Sequence, residues 1–127
     1  MNTLKRWHEI IESRKPELLD DILAEDCVFL SPVVHTPQQG RELTKLYLTG
    51  AMHVLNKDFH YVKEVVTPGH AVLEFVCDID GISVNGVDII SFDKEGKISE
   101  FKVMVRPLKA INMLHAKMRD MLERLSA

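Results

Sequence analysis

An aspartate in the middle of an apolar strand constrains this chain more than any other feature of its sequence. The segment from Ile82 to Pro107 contains two β-strand patterns joined by a turn. Its second strand alternates apolar and polar residues, as a strand with one buried face does. Its first strand carries apolar residues on both faces, which is typical of a central strand, and Asp88 lies in its middle. Because an unpaired buried carboxylate costs several kcal/mol, Asp88 must be hydrogen-bonded, ion-paired or protonated.

Two interpretations of Asp88 follow from this placement. As a functional group, it is a protonated or poised acid-base residue beside a pocket. As a structural group, it accepts hydrogen bonds from backbone amides at Asn85–Gly86, which we interpret as a β-bulge within one long strand. The sequence alone leaves both interpretations open.

The rest of the chain is predicted to place helices first and strands afterwards. The predicted elements are a helix from Asn2 or Thr3 to about Ser13–Lys15, a helix from Pro16 to about Asp26, a strand at Cys27–Leu30, a helix at Arg41–Leu55, strands at Phe59–Thr67, Ala71–Ile79 and 82–92, a strand before Pro107, and a final helix. Asp80–Gly81 is the predicted hairpin turn between two of these strands. This segregation predicts an α+β fold with helices on one face of a strongly bent antiparallel sheet.

Composition and charge exclude several classes of function. The chain has 127 residues, enough for one domain with a substantial core, and a net charge of -3 with a pI near 6.0. These values argue against nucleic-acid binding, and no apolar run is long enough for a membrane span. The only cysteines, Cys27 and Cys77, lie in apolar strand-like runs, which favours a reducing cytoplasm. Neither a metal-binding constellation nor a glycine-rich phosphate loop is found, so we expect no metal and no cofactor.

The order of elements resembles the nuclear transport factor 2-like superfamily, in particular its SnoaL-like bacterial members. The resemblance rests on a Pro-led second helix, a short strand that ends in Ser-Pro, and the stretch GVDIISFDKEGKISEFKVMVRP. It covers nearly the whole chain and implies a single SnoaL-like domain over residues 1–127. The implied fold is a cone, or cystatin-like roll, in which a curved antiparallel sheet wraps around N-terminal helices, with an added C-terminal helix. It also implies a deep apolar pocket and frequent homodimerisation through the outer face of the sheet.

Ketosteroid isomerases of this superfamily offer a residue-level comparison. Their pocket uses an aspartate base, a tyrosine donor on the first helix and a protonated aspartic acid on a late strand. The resemblance implies that Asp88 occupies the late-strand position, that Ser31 lies where the base lies, and that Trp7 replaces the tyrosine. A serine cannot shuttle a proton as a carboxylate does, and an indole donates a weaker hydrogen bond than a phenol. The same route of steroid isomerisation is therefore not expected.

The expected site combines Asp88 as the catalytic group with an apolar wall. The expected ligand-binding residues are Trp7, Phe29, Tyr47, Phe75, Ile90, Phe92, Phe101 and Val103. Trp7 has the alternative of being a plain core residue, and His35 and His53 are either bases near the pocket mouth or surface residues.

We expect a cytoplasmic homodimer that binds a small apolar organic molecule with an enol or carbonyl group and isomerises, cyclises or dehydrates it. One alternative is a non-catalytic ligand-binding or dimerisation module, which the loss of a carboxylate at Ser31 favours. A further alternative is a protein-interaction module that uses the methionine-bearing stripe of the last helix.

Overall fold

A six-stranded curved sheet organises the fold, and it consists of two strands from the first half of the chain and the four strands that follow from Lys57. The structure is a computed structural model, and it describes residues 2–126. Its elements are α1 (Thr3–Ser13), a 3-10 helix (Pro16–Asp21), β1 (Leu23–Leu30), β2 (Gln38–Gln39), α2 (Arg41–Val54), β3 (Lys57–Val66), β4 (His70–Ile79), β5 (Ile82–Phe92), β6 (Ile98–Arg106) and α3 (Leu108–Ser126). The predicted α+β class, with N-terminal helices and a C-terminal helix around a curved sheet, is confirmed.

The strand order is β2-β1-β6-β5-β4-β3, so the sheet stays open and β5 lies near its centre. β1 runs parallel to β6, and the other neighbouring strands are antiparallel. Buried side chains of the three α-helices meet the inner faces of β1, β4, β5 and β6 in one core. Burying each large apolar side chain of such a core contributes about 1.5–3 kcal/mol, which holds the helices on the inner face. Within residues 2–126, no helix has the length and apolarity needed to span a membrane.

The hairpin turn predicted at Asp80–Gly81 is confirmed, and a second glycine lies in the turn that follows β5. Asp80 and Gly81, which join β4 to β5, have φ values of 49° and 84°, as a tight hairpin requires. Gly96 in the turn between β5 and β6 has a φ of 81°. These turns set the antiparallel register that carries Asp88 to the inner face of β5.

The prediction of a second α-helix that continues to Asp26 was wrong. The helix that starts at Pro16 is a 3-10 helix that ends at Asp21, and Leu23 already belongs to β1. The apolar residues there suit either a helix or a buried strand, and pairing with β6 decides between them. Leu23 pairs with Ile98, whose amide donates a hydrogen bond to the carbonyl of Ile22 at 2.8 Å.

The β-bulge predicted at Asn85–Gly86 was also wrong. Both residues pair with β4 in unbroken register, opposite Val76 and Phe75. Gly86 is needed for space, because a Cβ atom there would lie 2.3 Å from Cζ of Phe75 and 2.8 Å from the carbonyl oxygen of Met104. The glycine therefore marks the place where an aromatic ring packs flat against the strand backbone.

We expect Gly86→Ala to destabilise the protein by at least about 2 kcal/mol, because the new methyl group overlaps the Phe75 ring and a backbone carbonyl. Gly69→Ala is the matched control, since its Cβ would meet nothing within 4 Å, and it should stay within about 0.5 kcal/mol of the wild type. Urea unfolding followed by circular dichroism measures both. Equal free energies of unfolding for the two variants would contradict this account of Gly86.

Candidate ligand-binding site

A cavity of about 280 Å³ lies between the inner face of the sheet and the helices. Its lining is mainly apolar and aromatic, and Asp88, only 5% exposed, is the buried acid within it. The volume lies just below the range of roughly 300–1,000 Å³ that is typical of small-molecule pockets. An apolar cavity with few polar groups is suited to a small organic ligand that is held in one orientation.

Most residues that the sequence proposed for the site line this cavity. They are Trp7, Phe29, Tyr47, Phe75, Asp88, Phe101 and Val103. Two expected wall residues, Ile90 and Phe92, do not line it. Ile90 is fully buried opposite Ala71 and Phe101, and Phe92 pairs with Ile98 near the end of β5. At that end the 3-10 helix and the start of β1 fill the space above the sheet, so the inner face becomes closed core.

Aromatic rings give the cavity its shape. The rings of Trp7 and Phe101 lie 4.9 Å apart between centroids, and those of Phe29 and Tyr47 lie 5.2 Å apart. Phe59 of β3, which was not predicted as a site residue, stacks on Phe75 at 5.1 Å. Such pairs contribute about 0.5–1.5 kcal/mol each beyond burial, and they fix the walls before any ligand arrives.

Asp88 is held by a chain of two hydrogen bonds from distant parts of the sequence. The Tyr61 hydroxyl of β3 donates to Oδ2 of Asp88 at 2.6 Å, and Nε1 of Trp7 in α1 donates to the Tyr61 oxygen at 3.0 Å. An indole N–H can only donate, so the Tyr61 oxygen accepts from Trp7 and directs its own proton to Asp88. Oδ2 is therefore an acceptor, and a proton that binds to Asp88 belongs on Oδ1.

The second carboxylate oxygen of Asp88 opens towards the cavity. Among residues 2–126, no protein donor reaches Oδ1, and the one fully enclosed side-chain oxygen or nitrogen that lacks a partner is Oγ1 of Thr44. Oδ1 is thus neither satisfied by the protein nor sealed in the core. A ligand in the cavity has access to this atom, whether the atom carries a proton or a lone pair.

Burial raises the pKa of Asp88 to about 7, and the hydrogen bond from Tyr61 opposes part of that rise. Burial and the negative charge of Asp88 raise the pKa of Tyr61 well above its usual range. At neutral pH Tyr61 therefore keeps its proton, while Asp88 populates both its neutral and its ionised form. Such a group is suited to both taking up and releasing a proton.

Asp88, Ser31 and Trp7 each have a functional and a structural interpretation, and their contacts distinguish between the two. No backbone amide of residues 2–126 donates to the Asp88 side chain, unlike in the structural interpretation. Ser31 lines the cavity, but its oxygen accepts hydrogen bonds from the amides of Val33 and Val34 at 3.0 and 3.3 Å, as in a turn. Trp7 is both a core residue, 3% exposed, and a hydrogen-bond donor.

Of the two interpretations of His35 and His53, the structure agrees with surface residues, because both are exposed. Neither His35 nor His53 lines the cavity, and His53 lies beside a separate surface groove. His115 of α3 does line the cavity and was not predicted. In the described part of the chain, no group of three His, Cys, Asp or Glu side chains is arranged to hold a metal ion.

Solved structures with the same architecture include bacterial proteins that match nearly the whole chain. A steroid delta-isomerase from Pseudomonas aeruginosa is 34% identical, with a TM-score of 0.92 over 98% of this chain and 93% of that one. A protein with a cystatin-like fold from Silicibacter pomeroyi is 28% identical, with a TM-score of 0.88 over 94% of this chain and 85% of that one. SalBIII, an epoxide hydrolase/cyclase-like enzyme of pyran ring formation in salinomycin, shares the fold at 13% identity, with a TM-score of 0.67 over 82% of this chain and 88% of that one.

The sheet, its helices and its inner cavity define a nuclear transport factor 2-like protein. The chain belongs to the SnoaL-like family of this superfamily, because the model of the SnoaL-like domain matches residues 4–101. No curated protein matches the sequence at a significant level. The resemblance that the sequence suggested is therefore confirmed at the level of the family and the fold.

The raised pKa of Asp88 predicts how stability changes with pH. Between the unfolded-state pKa of about 3.9 and the folded-state value of about 7, the native state binds more protons than the unfolded state. The free energy of unfolding therefore falls as pH rises across this range, by on the order of 3–4 kcal/mol for this group. Asp88→Asn removes the group, so we expect the variant to equal or exceed the wild type in stability at pH 8 and to lose that advantage towards pH 4.

The measurement is urea unfolding of the wild type and the Asp88→Asn variant at several pH values from about 4 to 8.5. The difference between the two free energies isolates Asp88, because the other carboxylates are common to both proteins. A difference that does not change with pH would contradict a buried carboxylate with a raised pKa.

Proposed function

We propose that the protein binds a small, largely apolar organic molecule in the cavity and transfers a proton on it, as an isomerase, cyclase or dehydratase does. The observation that supports this most strongly is the buried Asp88, whose Oδ1 faces the cavity while Oδ2 is held by Tyr61. We propose that Trp7, Phe29, Tyr47, Phe75, Phe101 and Val103 contact the apolar part of the ligand. The ligand places a carbonyl or enol group near Asp88.

The proposed proton transfer uses both forms of Asp88. In its ionised form, Oδ1 removes a proton from a carbon next to a carbonyl group, and the electron pair of the broken C–H bond moves to give an enolate. Oδ1 then carries the proton and returns it to the same or another carbon of the ligand, which restores the carbonyl group. In its neutral form Asp88 also donates a hydrogen bond from Oδ1 to a developing oxyanion.

Tyr61 and Trp7 keep the acid oriented throughout, because their hydrogen bonds go to Oδ2 and not to the reacting atom. The likeness to a steroid delta-isomerase at 34% identity supports an isomerisation of this kind. In the comparison with ketosteroid isomerases, Ser31 stands where a carboxylate base lies. We therefore propose a site with one carboxylate at its deep end rather than two.

The alternative function is non-catalytic binding of the same class of ligand, or dimerisation alone. The position of Ser31 favours it, since a serine that accepts two backbone hydrogen bonds in a turn does not act as a base. Ligand binding without turnover is the outcome that distinguishes it from the enzyme.

We also propose that the protein is a homodimer formed through the outer face of the sheet. An apolar outer-face patch consists of Val65, Val72, Val87 and Met104, in which Val65 pairs with Val72 and Val87 with Met104. Val65 and Met104 are 55% and 54% exposed. Exposed large apolar side chains that cluster on one face are typical of an interface.

Charged side chains beside the outer-face patch fit a two-fold arrangement. Lys63 pairs across the strands with Glu74, and Arg106 lies at the other end of the shallow groove that the patch occupies. In a symmetric dimer each such patch meets its own copy, so a rim with both signs of charge is compatible with self-association. We further propose one domain over residues 1–127 and a reducing cytoplasmic location, which two free, buried cysteines support.

Catalysis is tested with 2-tetralone, a bicyclic ketone whose hydrogens next to the carbonyl exchange through its enol. We expect the protein to accelerate exchange of these hydrogens for deuterium in heavy water, measured by NMR. Asp88→Asn should slow the catalysed exchange by roughly 10²–10⁴-fold, the usual contribution of general acid-base catalysis. Asp26→Asn, on the exposed side of β1, is the matched control and should not change the rate.

The pH profile of the same exchange assigns the form of Asp88 that reacts. A rate that rises with pH and levels off above a midpoint near 7 supports Asp88 as the base. A rate that falls above that midpoint overturns the role as base and supports the neutral acid as an oxyanion donor. Binding of 2-tetralone with no acceleration at any pH supports the non-catalytic alternative.

The dimer is tested by placing charge in the outer-face patch. We expect the wild type to elute with twice the chain mass of 14.5 kDa in size-exclusion chromatography with light scattering, and a Val65→Asp, Met104→Asp double variant to elute as a monomer. Leu108→Asp, at a position that is 71% exposed and outside the patch, is the control and should remain dimeric. A wild type that elutes as a monomer at high concentration would exclude the proposed dimer.

A further inference from the structure

The two ends of the cavity differ in polarity. Asp88 lies at the buried end, where the hydrogen bonds from Tyr61 hold it. Four exposed ionisable side chains also line the cavity, and we call this group the cavity mouth: Glu12, Arg14, His115 and Arg119. A ligand that fills the apolar space between these ends meets an acid at one end and mostly basic groups at the other.

The positive charge at the cavity mouth is not compensated by ion pairs. In the described part of the chain, neither Arg14 nor Arg119 forms one, although ion pairs occur elsewhere on the surface. Arg14 donates a hydrogen bond to the carbonyl oxygen of Met52, which orients its guanidinium without neutralising it. His115 and Arg119 are four residues apart on α3, so they lie on the same side of that helix.

We infer that the ligand of the cavity is a monoanion: an apolar body with a carbonyl or enol oxygen at Asp88 and a carboxylate at the cavity mouth, where Arg119 and Arg14 bind it. This inference rests on the proposed function, because it names the class of ligand for the same cavity. Arginine is suited to the role, since its planar donors match the two oxygens of a carboxylate.

The charge balance favours one negative charge on the ligand. Two arginines and one glutamate give the cavity mouth a net formal charge of +1 when His115 is neutral. The whole chain carries -3, so the average field of the protein repels anions and the attraction is local to the cavity mouth. Glu12 and an ionised Asp88 disfavour further negative charge on the ligand.

Anchoring at both ends also fixes the direction in which the ligand enters. A carboxylate remains in the solvated cavity mouth, because moving it to the apolar interior costs several kcal/mol. The neutral oxygen of the ligand is the group that crosses the apolar section and reaches Oδ1 of Asp88. This cost excludes the reversed orientation, in which the carboxylate lies next to Asp88.

The test compares two probes of nearly the same shape that differ in one group, the carboxylate of 6-hydroxy-2-naphthoate and the neutral amide of 6-hydroxy-2-naphthamide. Both have a bicyclic apolar body and a phenol oxygen that mimics an enol, and only the naphthoate carries a carboxylate. We expect the wild type to bind the naphthoate about three- to fivefold more tightly than the naphthamide in titration calorimetry, as an exposed ion pair allows. Raising the ionic strength should weaken binding of the naphthoate more than that of the naphthamide.

Single arginine variants test whether the preference for the naphthoate arises at the cavity mouth. Arg119→Gln and Arg14→Gln should each weaken naphthoate binding and leave naphthamide binding unchanged, which lowers the ratio of the two affinities towards one. Arg124→Gln is the matched control, because it removes the same charge from the same helix at a residue that lines a separate groove. It should preserve the wild-type ratio.

The outcomes separate this inference from the proposed function. Equal affinity of the wild type for both probes, with weaker binding of both by Asp88→Asn, overturns the carboxylate inference and leaves the cavity and its acid supported. A preference for the naphthoate that Arg124→Gln reduces as much as Arg119→Gln also overturns it, since the attraction is then not local. Failure of both probes to bind at millimolar concentration overturns the carboxylate inference together with the proposed ligand pocket.

Discussion

The rest of the structure depends on how the Asp88 carboxylate is kept inside an apolar cavity with no cationic partner among residues 2–126. Two hydrogen bonds in series, from Trp7 to Tyr61 and from Tyr61 to Asp88, are the polar support that the described residues supply. This support is partial, because one carboxylate oxygen accepts nothing from the protein and the pKa remains near 7. A fully satisfied carboxylate would have a lowered pKa and would be inert at neutral pH. The incomplete support is therefore what leaves the pKa of Asp88 near neutrality.

A destabilising group of this kind must be offset by the rest of the fold. The offset comes from the other end of the inner face, where Ile90, Ile98 and Leu19 are fully buried and no space is left for a ligand. The inner face of the sheet therefore covers two regions: a closed core towards the turn between β5 and β6, and an open cavity around Asp88. This division also explains why Ile90 and Phe92 do not belong to the wall, although they share a strand with Asp88 and lie only a few residues beyond it.

The sequence predicts the features that depend on a local residue pattern. It does not predict the features that depend on how one strand pairs with another. Asp88 stood out because its neighbours on β5 are apolar, and the hairpin at Asp80–Gly81 follows from two residues that accept positive φ. Tyr61 did not stand out, because the register of β3 shifts directly after it and the inward-facing set changes phase. The sequence predicts a helix at Leu23 for a similar reason, since the apolar residues there fit both periods and only pairing with β6 selects a strand.

In the comparison with ketosteroid isomerases, Trp7 replaces a tyrosine donor. This difference affects the direction of the hydrogen bonds at Asp88. A tyrosine in that place could accept as well as donate, so the direction of the hydrogen bonds would be open to change. An indole only donates, and through Tyr61 it makes Oδ2 an acceptor. The mobile proton is thereby confined to Oδ1, the atom that the cavity exposes. In the proposed mechanism, a single carboxylate with one reactive oxygen serves in turn as base and as acid, so proton transfer does not require a second carboxylate at Ser31.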